Sequence, residues 1–211
     1  MLAASVLVAA IAPLAALAAP TNDKWAAAAQ GAETKLVAAA TGTLKCPEGY
    51  TYGSVDNVAE FPARIKDISP VIDSFFDSDW EGFTVLNTTG RNNTPGALRS
   101  FSFGDVVPLT EELIYFVDTP VVVDRLWKGV GAKYKGDLPV VAEAFGANLS
   151  SWTEHFTLTP LCHNRATRFT WTASYCSTND PVLEQLFTQA HTGPFAALHE
   201  TYGNFTGCAD L

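Results

Sequence analysis

Hydrophobic and polar residues alternate along segment 152–175, which reads WTEHFTLTPLCHNRATRFTWTASY. In each half, every second residue is mostly aromatic or aliphatic, and the residues between are polar. Period two is typical of a half-buried strand, and the polar segment 163–167 between the halves is typical of a turn. The pattern therefore predicts an antiparallel hairpin with one largely aromatic face. Glu154 is the exception in that face, within the row Trp152, Glu154, Phe156 and Leu158.

The rest of the chain shows shorter strand patterns and two helical regions. Segment 55–76 has apolar residues at helical spacing, and Pro62 and Pro70 interrupt it, which predicts two short helices. A long amphipathic C-terminal helix is predicted from Asp180 as N-cap, with a kink at Gly193-Pro194. Further strands are predicted at 35–46, 82–90, 97–105, 108–118 and about 132–135, and the segment before the last of these is left unassigned.

This order of elements is the outline of an α+β helix-grip fold. About seven antiparallel strands would form a curved sheet around the long C-terminal helix, with two short helices after the first strand. The chain has no internal repeat and no linker long enough to separate two domains. We expect one domain over 19–211, with its core at about 35–203.

Residues 1–18 have the character of a secretory signal peptide. The run is apolar, is broken by Pro13, and closes with Ala16 and Ala18 in the two small positions before a cleavage site. A retained membrane anchor is the alternative, but the run is shorter than the roughly 20 residues that a spanning helix needs. Four N-glycosylation sequons support a eukaryotic secretory route, at Asn87, Asn92, Asn148 and Asn204.

The number of cysteines and the net charge make some classes of function less favoured than others. Cys46, Cys162, Cys176 and Cys208 are even in number and lack zinc-site spacing, so we expect disulfides and no metal. A net charge of -9 disfavours nucleic acid or an anionic membrane as partner. Five Trp, thirteen Phe and six Tyr are enough aromatic residues to line a cavity as well as a core. Motifs of serine hydrolases, zincins, dinucleotide-binding folds and P-loops are missing from the sequence.

Four segments resemble consecutive strands of the START/polyketide-cyclase-like (SRPBCC) superfamily, which includes the birch-pollen-allergen proteins. They read PGALRSFSFGD, LTEELIYFVDT, YKGDLPVVAEAF and ATRFTWTASY, and the resemblance covers about 43–202. It implies a large apolar cavity between sheet and helix. Members with this pattern include lipid carriers, polyketide cyclases and other metabolite-cyclising enzymes. The signal and sequons indicate a secreted eukaryotic member, with a fungal source expected.

The expected fold also implies a disulfide pairing. Its first strand pairs antiparallel with its last, so a cysteine ending the first strand would lie near the start of the last. Cys46 is therefore expected to bond with Cys162 or Cys208. It is not expected to reach Cys176, which would lie at the far end of that last strand.

Glu154 is the leading candidate for chemistry. If the aromatic row faces the cavity, Glu154 faces it too, and a buried carboxylate needs a partner or raises its pKa. Such a group can act as a general acid or base. The alternatives are a structural ion pair and a strand end that is open to water.

Four further residues complete the catalytic and polar candidates. Arg99 shares a row with Phe101 and Phe103, and would either hold an enolate or carboxylate oxygen or neutralise Glu111 or Glu154. Tyr115 and Glu111 are chosen from the resemblance, because alternation cannot select the inner row of their strand. His191 lies on the apolar face of the last helix, as a ligand contact or as a capped helix histidine. The remaining predicted ligand-binding residues are aromatic: Phe101, Phe103, Trp152, Phe156, Trp171, Tyr175 and Phe187.

The preferred interpretation is a secreted protein that binds a hydrophobic small metabolite and promotes cofactor-free cyclisation or cycloaddition. Catalysis would come from holding a flexible substrate in its reactive shape, with a hydrogen bond to an activating carbonyl. Its catalytic residues would be Glu154, Arg99 and Tyr115. The alternatives are a carrier of lipid, sterol or polyketide and an interaction protein with a vestigial cavity; oligomeric state is left open.

Overall fold

The computed structural model describes residues 44–103, 107–131, 140–142 and 145–211. They form an eight-stranded antiparallel sheet and a long C-terminal helix, with a short helix after the first strand. The elements are β1 Thr51–Phe61, α1 Ile65–Ile72, a 3-10 turn Asp79–Glu81, β2 Val85–Thr89, β3 Leu98–Phe103, β4 Val107–Thr119, β5 Val122–Gly131, β6 Val140–Ala142, β7 Ala147–Leu161, β8 Ala166–Ser177, α2 Asp180–Tyr202 and a 3-10 turn Cys208–Asp210.

The strand order in the sheet is β1-β8-β7-β5-β4-β3-β2, and β6 pairs with β7. The α+β helix-grip prediction is confirmed.

The predicted hairpin is β7 and β8, joined by a turn at 162–165. Its register places Trp152 opposite Tyr175, Glu154 opposite Ala173 and Phe156 opposite Trp171. Directly opposed residues share a face, so the aromatic rows of both strands lie together on the inner face of the sheet. The period-two pattern was informative here because almost every inward residue is apolar.

The helix predicted to begin at residue 55 is wrong, because a strand occupies Thr51–Phe61. The strand that pairs with β8 is β1, at residues that were predicted to begin the first short helix. Asn57 faces inward opposite Trp171, while Val58 faces outward and is 57% exposed. This inversion of polar and apolar positions hid the alternation. Only one helix, α1, follows the strand, and Ile65, Ile68 and Ile72 form its buried face.

The predicted disulfide pairing is also wrong. Cys46 bonds to Cys176, and Cys162 bonds to Cys208. The first strand does pair antiparallel with the last, but Cys46 precedes that strand instead of ending it, and Tyr52 lies opposite Cys176. Cys46 is thus at the other end of β8 from the position expected, while the topology stands. Two disulfides are consistent with an oxidising, extracellular compartment.

Helix α2 runs from Asp180 to Tyr202 and closes the inner face of the sheet. Asn179, one residue earlier than predicted, is its N-cap, and Asp180 accepts a hydrogen bond from the Tyr175 hydroxyl at 2.9 Å. Pro194 lies inside the helix. The buried residues of α2 are Leu183, His191, Pro194, Phe195 and Leu198.

Some predictions lie outside the described residues. These are the signal peptide at 1–18, most of the strand at 35–46 and the strand at about 132–135. Strand β5 occupies the segment that was left unassigned. Its neighbouring residues Asp124, Arg125 and Leu126 are all buried, so no apolar and polar alternation marks it.

The sequons differ in how their asparagines are used. Asn92 accepts a hydrogen bond from the Phe76 backbone N–H at 3.1 Å and donates one to Ser74 at 2.8 Å, so its amide holds the loop after α1. Asn87 and Asn204 are exposed. An attached glycan would replace one amide hydrogen of Asn92 and displace Ser74.

We therefore expect secreted protein to carry glycans at Asn87 and Asn204 and none at Asn92. Peptide mass mapping after enzymatic deglycosylation in ¹⁸O water would identify the occupied sites. Replacing Asn92 by Gln should lower stability by about 1 to 2 kcal/mol because two local hydrogen bonds are lost, whereas Asn87→Gln should change it little. A fully occupied Asn92 in stable protein would contradict this assignment.

Candidate functional site

An apolar cavity lies between the inner face of the sheet and helix α2. The space open to the centres of water-sized molecules is about 50 Å³, which is enough for a few waters. Glu154 is the one ionisable residue among those lining this cavity in the described chain. The cavity is lined by Phe83, Phe101, Val107, Leu109, Phe145, Leu149, Trp152, Glu154, Trp171, Leu183, Leu186, Phe187 and Ala190.

The Glu154 carboxyl group is buried, and one of its two oxygens has two hydrogen-bonding partners. Trp171 Nε1–H donates to Glu154 Oε2 at 3.0 Å, and His191 Nε2 lies 3.3 Å from the same oxygen. The His191 ring stacks on the Trp171 indole with 4.2 Å between centroids. These contacts fix the position of the carboxyl group against the cavity wall.

His191 is a neutral partner for Glu154. Burial lowers the pKa of His191 to about 3, against the opposing effect of nearby carboxylates. Its Nδ1 lies 3.0 Å from Asn57 Oδ1, which can only accept, so Nδ1 carries the proton. The Nε2 lone pair then faces Glu154 and can accept a hydrogen bond from the protonated carboxyl group.

Glu111 is a second buried carboxyl group, directly behind Glu154. It is 1% exposed, and it is hydrogen-bonded to Glu154. Trp152 Nε1–H donates to Glu111 Oε1 at 3.3 Å. Burial is the main cause that raises the pKa of both glutamates to about 7. Two carboxyl groups in hydrogen-bond contact require a proton between them, so the pair is a proton store at the cavity wall.

Arg99 neutralises carboxylates and does not face the cavity. Its Nη1 and Nη2 donate to the two Glu81 oxygens at 2.7 and 2.9 Å, and its Nε donates to Glu111 at 2.8 Å. Nη1 also donates to Ser78 Oγ at 2.6 Å. Burial alone would lower the pKa of Arg99, but the two carboxylates outweigh it and raise that pKa. Of the two roles predicted for Arg99, the structure supports charge neutralisation.

Glu81 is a site residue that the sequence did not reveal. It lies in the 3-10 turn within DSDWEG, a polar stretch that resembles an exposed loop, yet it is 5% exposed. Burial raises its pKa against the effect of Arg99. The one indication of Glu81 in the sequence was Arg99, because a buried arginine requires carboxylate partners. The sequence does not specify where those carboxylates are. Three carboxyl groups are therefore buried at this site, and the one guanidinium, that of Arg99, pairs with Glu81 and Glu111.

Gly129 allows residues of β4 and β7 to meet across β5. It lies opposite Glu111 in the β4–β5 register. A Cβ atom at position 129 would overlap the Trp152 indole ring. The missing side chain therefore leaves the space in which Trp152 reaches Glu111.

We expect Gly129→Ala to displace the Trp152 indole and to lower stability by about 1 to 3 kcal/mol. The near-UV circular dichroism and the tryptophan fluorescence should both change. Gly193→Ala is the matched control, because position 193 is helical and has no atom within 4 Å of an added Cβ. It should leave stability unchanged or raise it by about 1 kcal/mol. Equal spectra for Gly129→Ala and the native protein would contradict the proposed packing.

Tyr115 does not reach this site, and its predicted row is wrong. A bulge between Leu113 and Tyr115 shifts the register, so Leu113 lies opposite the inward Trp127 while Tyr115 lies opposite Leu126. Leu126 in turn lies opposite His155, on the outer face. Alternation along a strand cannot reveal a bulge. The extra residue moves each later side chain of the strand to the opposite face of the sheet from the one that the alternation predicts.

The predicted aromatic residues divide into two groups. Phe101, Trp152, Trp171 and Phe187 line the cavity. Phe156 lies behind them, with its ring centroid 5.0 Å from that of Phe169. Tyr175 stacks on Phe187 at 5.0 Å between centroids and is also set back from the wall. The Phe103 side chain lies outside what the structure describes.

A second, more open cavity adjoins the first. It has about 370 Å³ of space between 79–83 and 189–197, and it shares Phe83 and Ala190 with the inner cavity. The Phe83 ring stacks on Phe101, with 4.7 Å between centroids. A ligand larger than the inner cavity would extend past Phe83 into this outer space.

The described residues offer support neither for a metal site nor for a membrane-spanning helix. No group of three or more His, Cys, Asp or Glu side chains there has the geometry to hold a metal ion. None of the helices in the same part of the chain has the length and apolar character needed to cross a bilayer.

Comparisons with known proteins identify the fold and no more. No protein-family model and no curated protein matches the sequence. Among solved structures, norcoclaurine synthase from Thalictrum flavum is similar with a TM-score of 0.50 and 15% identity, over 75% of this chain and 94% of that one. The protein XoxI from Bacillus cereus has a TM-score of 0.53 and 12% identity, over 71% and 95%. A Nitrosospira multiformis protein has a TM-score of 0.51 and 17% identity, over 69% and 94%.

Proposed function

We propose that this protein is secreted, binds a small hydrophobic metabolite in the inner cavity and promotes its cofactor-free cyclisation or cycloaddition. The observation that carries the proposal is the position of Glu154, a carboxyl group with a pKa of about 7 on the wall of an apolar cavity. Near neutral pH such a group exists in both protonation states. It can therefore give or take a proton without a cofactor.

The chemistry rests on the Glu111–Glu154 pair. Protonated Glu154 donates a hydrogen bond or a proton to a carbonyl oxygen of the substrate, which activates the neighbouring carbons. Ionised Glu154, stabilised by a hydrogen bond from protonated Glu111, removes a proton from an acidic C–H group of the substrate; Glu154 becomes neutral and the negative charge passes to the substrate. Trp171 and His191 hold the carboxyl group in place, and the apolar walls fold the substrate and exclude water.

The second candidate is a carrier of lipid, sterol or polyketide without turnover. It is favoured by the lining, which is apolar apart from Glu154, and by the outer cavity that adjoins it. In a carrier, Glu154 would only hydrogen-bond to a polar group of the ligand. The two candidates differ in whether proton transfer at Glu154 accelerates a reaction.

A proton-transfer probe tests the base without knowledge of the natural substrate. In 5-nitrobenzisoxazole, a base takes the C3 proton, the N–O bond breaks, and the coloured 2-cyano-4-nitrophenolate forms. We expect native protein to accelerate this reaction with a pH profile that rises through about 7, as Glu154 becomes ionised. Glu154→Gln should lower the rate by about 10² to 10⁴ with the fold intact.

Glu200→Gln is the matched control, since Glu200 is exposed on α2 and lines neither of the two cavities. It should react like native protein. Binding is measured separately, through the change in Trp152 and Trp171 fluorescence with a panel of hydrophobic ligands. Binding with no acceleration above the Glu154→Gln level would reject the acid–base proposal and leave the carrier.

A further inference from the structure

The charges around the inner cavity are unequal. Glu81, Glu111 and Glu154 are all buried, and Arg99 pairs with the first two. One shared proton between Glu111 and Glu154 still leaves these four groups with one negative charge in excess. Of these four groups, Glu154 is the one that lines the inner cavity. A positive charge in the cavity would therefore be most stabilised beside Glu154.

No other described cation supplies that charge at the wall. Arg125 is the second buried arginine, but it pairs with Asp118 at 3.2 Å and donates to the Ile72 carbonyl oxygen. His191 is neutral, and its Nδ1 is bound to Asn57. The lining residues themselves contain no Lys, Arg or His.

The rest of the wall also suits a cation. Six aromatic rings line the cavity, and aromatic faces attract positive charge through their quadrupoles. A carboxylate ligand would instead meet Glu154 with no free guanidinium to hold it, because Glu81 and Glu111 occupy Arg99. The six rings belong to Phe83, Phe101, Phe145, Trp152, Trp171 and Phe187.

We propose that the cavity selects hydrophobic cations over hydrophobic anions, so that its natural ligand carries an amine or another cationic nitrogen. This inference rests on the proposed binding of small molecules in the same cavity. It sets aside one of the two roles predicted from sequence for Arg99, that of holding an anionic oxygen. The ammonium group would pair with ionised Glu154, and the apolar part would lie against the aromatic wall.

Three probes of nearly equal shape test this selectivity: benzylamine, benzyl alcohol and benzoate, measured by titration calorimetry at neutral pH and 0.15 M salt. We expect the dissociation constant of benzylamine to be about tenfold lower than that of benzyl alcohol, with benzoate the weakest. In Glu154→Gln the preference for the amine should fall below about threefold, while benzyl alcohol binds as before. Glu200→Gln, which removes one exposed charge, should keep the native order because salt screens that site.

The outcomes separate the two proposals. Benzoate that binds as tightly as benzylamine would overturn the selectivity and leave cavity binding intact. An amine preference that survives Glu154→Gln would also overturn the selectivity. The same holds for a preference that Glu200→Gln removes as fully as Glu154→Gln does, because the net charge of the protein would then be its cause. Failure of all three probes to bind would reject both the selectivity and the proposed binding function.

Discussion

Replacing Arg99 by Met should lower the free energy of unfolding by about 3 to 5 kcal/mol at neutral pH, because it leaves Glu81 and Glu111 buried without their cation. Methionine keeps most of the length and the apolar stem of the side chain, so the loss reports the charge. The Arg99 guanidinium also lies 4.7 Å from the Phe75 ring centroid, a contact that is lost with it. Urea unfolding measures the change.

The size of this effect depends on burial. The exposed pair of Arg168 and Glu60 has a similar distance, 2.7 Å, but its side chains are 50% and 30% exposed. Arg168→Met should therefore cost less than about 1 kcal/mol.

Adding Glu81→Leu and Glu111→Leu to Arg99→Met should restore much of the stability, since no buried charge is then unpaired. The cost of Arg99→Met should also shrink at pH 4.5, where the carboxyl groups take up protons. A cost below 1 kcal/mol at pH 7 would contradict the pairing.

The sheet and the last helix could be predicted because their patterns are regular. The β7–β8 hairpin alternates over its whole length, and α2 carries apolar residues at helical spacing. Strand β1 could not be predicted, since its inward Asn57 and outward Val58 reverse the usual order. Asn57 faces inward, where its Oδ1 accepts a hydrogen bond from His191 Nδ1–H. The polar residue that interrupts the pattern of β1 is thus part of the candidate site. Because the first strand was predicted at 35–46, the wrong partner was predicted for Cys46.

The candidate site could be predicted only in part. Glu154 was found because one carboxylate in an aromatic row is conspicuous. Glu111, Trp171 and His191 were predicted as well. Three features were not, since Glu81 comes from a loop, Gly129 acts through the absence of a side chain, and a bulge turns Tyr115 to the outer face. Such features depend on the distances between elements that are remote in sequence. A one-dimensional pattern contains no measure of those distances.

The stability of native protein should fall as pH rises from about 4.5 to 8, and Glu154→Gln should remove a large part of that fall. The pKa of Glu154 is about 7 in the folded protein and 4.5 for an unperturbed glutamate, mainly because burial disfavours the charge. Since the folded pKa is the higher one, the contribution of Glu154 to stability is fully present below pH 4.5 and is lost as pH rises through 7. At 1.36 kcal/mol for each pKa unit, the loss is about 3 kcal/mol.

Chemical unfolding of native protein and Glu154→Gln across this pH range measures the difference. Because Glu154 is one cause of the raised pKa of Glu111, the substitution should also lower the pKa of Glu111 and flatten the profile further. Glu200→Gln, at an exposed position, should keep the native profile. If native protein and Glu154→Gln instead lose stability in parallel, Glu154 is ionised in the folded state well below pH 7. The cavity wall would then hold a permanent carboxylate, and neither a proton donor nor the proton store formed with Glu111 would exist there.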